Sequence, residues 1–117
     1  MANYKFNDAF DNLEGEEIWN QLIGSLESGT EFQSVGNTPK TYKIVHVETN
    51  SFSFSGGDRK EEEDIDRINF VDVITKLKTM EVFNTNSSKH HFKGTDIYAK
   101  RSPLFGLLFT KGLIEKT

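Results

Sequence analysis

From Glu14 onward, apolar side chains return at helical spacing. Ile18, Leu22 and Leu26 recur every four residues, with Trp19 and Ile23 beside them. Glu14, Glu16 and Glu17 occupy the first turn, where the helix dipole favours anions, and Gly29 supplies a stop. The period then drops to two. Thr30–Val35, Thr41–Glu48 and Ser51–Ser55 read as strands, the last alternating Ser with Phe52 and Phe54. Gly36-Asn37-Thr38-Pro39 and Thr49-Asn50 are the reversals between them, so the three runs predict an antiparallel meander.

Gly56 to Asp64 is a charged loop rich in Glu, and a further short strand is expected over Ile65–Ile68. The helical period resumes from Asn69 to Thr79, with Asn69 as N-cap, a stripe of Val71, Ile74 and Leu77, and support from Phe70 and Val73. Asn84 to Ser88 is a loop signal, and Asp96–Lys100 fits either an extended or a helical path. A last helix is expected with Ser102 as N-cap, Pro103 at its first position and Gly112 after its end; Leu113 and Ile114 then form an apolar clasp. Residues 1–13 carry only isolated aromatics, Tyr4, Phe6 and Phe10, and read either as a loose lead-in or as an extended segment laid over the core.

The expected fold is therefore α+β: a small antiparallel sheet of three to four strands packed by three helices, in a single domain over residues 1–117. Composition agrees. Apolar residues make up 35 % and charged residues 27 % of the 117, a mixture that folds rather than staying disordered. The ten Phe residues and the lone Trp19 are expected in the core. Cysteine is absent, which excludes disulfides, thiolate metal sites and a Cys nucleophile. No apolar run approaches the ~20 residues of a membrane span, and the N-terminus lacks a signal-type apolar stretch. No membrane contact is expected, and the cytoplasm is the expected compartment. Without a secretion signal, the glycosylation pattern Asn86-Ser87-Ser88 is idle.

The net charge of −4 hides an asymmetry. Residues 1–73 hold six Lys/Arg against fifteen Asp/Glu, a balance of −9; residues 74–117 hold eight against three, a balance of +5. The basic third interleaves Lys76, Lys78, Lys89, His90, His91, Lys93, Lys100 and Arg101 with Phe83, Phe92 and Tyr98. Cations neutralise phosphates and aromatic rings stack on unpaired bases, so this segment is the candidate nucleic-acid site, with Lys89, His90, His91, Phe92, Lys93, Lys100 and Arg101 as its members. Arg101 also stands at an expected helix start, where phosphate is attracted.

Other constellations carry less. His90 and His91 are adjacent but lack metal-ligand spacing, and His46 lies in an expected strand. The Glu61–Asp64 run lacks the alternation and fixed glycine of a calcium loop. Gly56-Gly57-Asp58 is followed by no Gly-Lys-Ser/Thr, and no Ser sits in a nucleophile elbow. No cofactor, metal or catalytic residue is expected. Three functional readings stand: a recognition module for DNA or RNA; a protein-binding or inhibitory module of a prokaryotic or phage system, met through the acidic half; and a small enzyme with scattered catalytic groups.

One resemblance bears on this choice. Gly29-Thr30-Glu31-Phe32, Thr41-Tyr42-Lys43-Ile44, Ile65 with Ile68-Asn69-Phe70, Pro103 to Leu108 and Gly112-Leu113-Ile114 follow one another over about three quarters of the chain. In this pattern the chain resembles small strand–strand–helix accessory domains of prokaryotic restriction and other defence-associated DNA-handling proteins. The resemblance implies DNA or protein recognition rather than cleavage, and it assigns no functional residue.

Overall fold

A computed structural model describes residues 2–117 and is α+β. Four strands, β2 (Glu31–Gln33), β3 (Thr41–Val47), β4 (Ser51–Gly56) and β5 (Glu63–Asp66), form an antiparallel meander in sequence order. Alternation places Phe32, Tyr42, Ile44, Phe52, Phe54 and Ile65 on one buried face. There the Phe32 and Tyr42 rings stack at 5.6 Å, and Phe54 meets both edge-on. The register slips between Ile44 and His46, and at that irregularity the buried Ser53 hydroxyl accepts a hydrogen bond from the His46 amide at 3.2 Å.

Two short strands make a second sheet. β1 (Tyr4–Phe6) pairs antiparallel with β6 (Ile114–Lys116), and the other edge of β1 exchanges both backbone bonds between Tyr4 and Phe83. The N-terminal residues are thus an extended segment over the core, with Tyr4 and Phe6 buried. The expected single sheet is in fact two, because β1 and β6 close on each other instead of joining the meander.

Three longer helices fill the core, α2 (Gly15–Ser25), α3 (Arg67–Leu77) and α5 (Arg101–Thr110); α1 (Asp8–Asp11) and α4 (Lys89–Phe92) are single turns. α2 buries Ile18, Trp19 and Leu22. Trp19 stacks on Phe52, meets Phe70 edge-on, and donates its indole N–H to the Thr49 carbonyl at 2.9 Å. The helix ends at Ser25, ahead of Gly29, because Leu26 turns extended.

α3 starts two residues before the expected Asn69. Strand β5 runs straight into it, so Asp66 is the cap: its carboxylate accepts from the Asn69 amide at 3.0 Å and from the Asn69 side chain at 2.7 Å. Its buried stripe is Phe70, Val73, Ile74 and Leu77, with Val71 half-buried. Ile68, expected in a strand, lies in the first turn of α3 and is exposed.

α5 is the central helix, buried from Pro103 to Leu108. Its start also differs from expectation. A 3₁₀ turn over Tyr98–Lys100 leads directly into it, so Lys100 is the N-cap residue and Ser102 sits inside the helix. The Ser102 hydroxyl instead donates to the Val35 carbonyl at 2.6 Å, while the Val35 amide donates to the Ser102 carbonyl at 3.3 Å. Pro103 remains in the first turn, where its missing N–H has no helical acceptor to serve. At the other end Gly112 takes φ +76°; its amide reaches the Phe109 carbonyl and the Leu113 amide reaches Leu108, satisfying the last carbonyls as expected of a glycine stop. Leu113 and Ile114 are both buried, so the apolar clasp is real.

Candidate nucleic-acid interface

The basic third of the chain is folded around a turn that local polar groups build. The Asn84 side-chain oxygen accepts from the amides of Asn86 and Ser87 at 2.9 and 2.7 Å, and the buried Ser88 hydroxyl donates to the Asn84 carbonyl at 2.5 Å. This turn delivers the chain into α4. Phe92 is fully buried and lies 6.1 Å from the Phe105 ring, which fixes the rotation of α4. Lys89, His90 and Lys93 are consequently exposed and His91 is half-buried.

Charge accumulates here. The His90 and His91 rings are 3.9 Å apart. Burial, then His90, then Lys76 of α3 hold the His91 imidazole below its usual range, so the proton is resisted partly by neighbouring positive charge. Lys76 also pairs with Asp72 at 3.1 Å. Among the described residues, Lys89 and Lys93 take part in none of the ion pairs or side-chain hydrogen bonds identified, which involve other cations.

The rest of the expected site is drawn inward. Lys100 is only 13 % exposed; its ammonium donates to the Asp64 carbonyl at 2.7 Å and stands 3.6 Å from Glu63. Arg59 reaches the same Glu63 at 3.3 Å and donates to the Ala99 carbonyl at 2.8 Å. Arg101 lies over the Tyr98 ring at 4.3 Å with one guanidinium nitrogen buried. Lys78 donates to the carbonyls of Phe10 and Asp11, closing the end of α1. Phe92 itself cannot meet a base, because its ring is an anchor in the core. Lys89, His90, His91 and Lys93 therefore stay together, joined by Lys76, while Lys100, Arg101 and Phe92 are committed to internal contacts. Arg59 was invisible as a partner of this region, since Ala99 lies far along the chain and no local pattern links the two.

A second surface feature is a groove of about 800 Å³ beside β2, lined by Tyr4, Gln33, Val35, Asn37, Phe109 and Lys116 among others. Phe109 is 41 % exposed there, edge-on to Tyr4 at 5.7 Å, with the Lys116 ammonium 5.7 Å from its centre. Among the described residues no group of three or more His, Asp or Glu is placed to hold a metal ion. Among the described residues no helix is long and apolar enough to cross a membrane.

No family model, curated protein or solved structure matches the chain. The functional reading rests on the chain's own residues.

Proposed function

We propose that the protein is a non-catalytic recognition module that meets nucleic-acid phosphates through α4 and Lys93. One observation carries this reading: Lys89 and Lys93 are exposed and free of acidic partners, on a turn whose orientation Phe92 fixes. Lys76 of α3 lies near enough to His91 to add a further positive charge beside α4. Unpaired cations that meet phosphates displace the counterions condensed on the nucleic acid, and that release drives binding. With two lysines and a histidine pair, only a few contacts form. Affinity is accordingly weak and salt-sensitive, in keeping with a net charge of −4.

The test is anisotropy of a labelled oligonucleotide at low salt. Lys89→Glu with Lys93→Glu abolishes binding and leaves the melting temperature unchanged, because exposed unpaired charges contribute little to stability. Lys100→Glu is not a useful partner in that experiment, since it would oppose Glu63 and disturb the fold. Absence of wild-type binding at low salt rejects the reading.

A second reading, a protein-binding or inhibitory module, is favoured by the groove beside β2 and its exposed Phe109. It predicts a partner whose affinity falls on Phe109→Ala and is indifferent to Lys89 and Lys93.

A further inference from the structure

Aromatic rings decide which form of nucleic acid a basic surface holds best. Proteins that grip single strands stack rings on unpaired bases, at about 1–3 kcal/mol for each base. A duplex hides those base faces and presents phosphates at higher linear charge density. Around α4 the large aromatic rings are turned inward or covered. Phe83 and Phe92 are fully buried. Tyr98 is half-buried and covered on one side by the Arg101 guanidinium. The His90 and His91 imidazoles pack against each other. Among the described residues Phe109 is the one exposed aromatic of the core-forming type, and it belongs to the groove beside β2, not to α4. Beyond the exposed His90 imidazole, what α4 offers is the charge of Lys89 and Lys93. Lys89 and Lys93 are separated by four residues of a short helical turn, about 6 Å of rise, which matches one to two phosphate steps along a duplex strand.

We infer that α4 recognises the phosphate backbone of double-stranded nucleic acid, and that unpaired bases are not its ligand. The inference rests on the nucleic-acid reading above and narrows it. A surface of this kind positions a protein on a duplex without reading its sequence.

The experiment titrates the full chain with a labelled duplex and with each of its separated strands across a salt series. The duplex binds more tightly than either strand. The log–log salt slope for the duplex loses about 2 on Lys89→Gln with Lys93→Gln, close to one for each phosphate contact removed. Phe109→Ala leaves the duplex affinity unchanged. If either strand binds as tightly as the duplex, or if single-strand binding drops on Phe109→Ala, the duplex inference is overturned while the nucleic-acid reading survives. If neither form binds at low salt, the reading itself fails and takes the inference with it.

Discussion

Gly106 lies directly against the backbone of Gln33. A Cβ at this position would collide with the Gln33 carbonyl oxygen and stand 2.8 Å from the Ser34 Cα. The contact continues a seam in which Ser102 meets Val35 one helical turn earlier. Four residues of helix rise about 6 Å and two residues of strand about 6.6 Å, so α5 can run beside β2 and stay in step with it. The helix thereby covers the edge of the sheet that β2 would otherwise expose.

Gly106→Ala is therefore expected to destabilise the fold by about 3 kcal/mol, because the atoms in the way are backbone and cannot rotate aside. Thermal unfolding should shift downward by roughly 10 °C. A variant that melts like the wild type would show that α5 does not approach β2 this closely.

The two helix starts separate by chemistry. Asp66→Ala should cost about 1 kcal/mol, since the Asn69 amide loses its acceptor, and Asp66→Asn should recover most of that loss. Ser102→Ala should also cost about 1 kcal/mol, but through the Val35 carbonyl left without its donor. Denaturant melts of the three variants check both, and no rescue by Asn at position 66 would remove the cap.

Phe92→Ala should cost about 3–5 kcal/mol, as expected for emptying a fully buried aromatic site. Binding measured on the fraction that remains folded should be unchanged. Weakened binding at unchanged stability would place the ring on the surface instead.

His91 gives the pH dependence. Its imidazole is held below the usual range, so the unfolded chain takes up the proton at higher pH than the folded one. Its contribution to stability is complete above about pH 6.5 and is lost as the pH falls from there through the lowered folded value. A phosphate bound at α4 opposes the repulsion from Lys76 and favours the charged ring, so nucleic-acid affinity should rise as the pH drops through the same window. His91→Gln should flatten both profiles, measured by urea melts and by anisotropy between about pH 7.5 and pH 5.

Much of this architecture was legible along the chain wherever one element declares itself over several residues. The period of Ile18, Trp19 and Leu22, the alternation of Phe52 and Phe54, and the Gly112 stop each follow from local sterics and burial. What escaped depends on distant partners. Asn69 and Ser102 look like caps in isolation, yet each is displaced because the preceding element runs into the helix without a loop. α4 is too short to show a period. The site divides along the same line. The positive sign of the segment is a local property, and Lys89 and Lys93 keep it. Lys100 does not, because Glu63 and Asp64 reach it across a span of chain that no spacing rule connects.

The pairing of β1 with β6 sets an order on assembly. Each strand of the meander meets its neighbour in sequence and closes a short loop, whereas Tyr4 and Phe6 wait for Ile114 and Lys116, almost the whole chain away. In synthesis order β1 precedes every strand of the meander and β6 follows them all. Until β6 pairs with β1, the rings of Tyr4 and Phe6 lack the strand that covers them, and a partly folded chain presents them to chaperones and proteases.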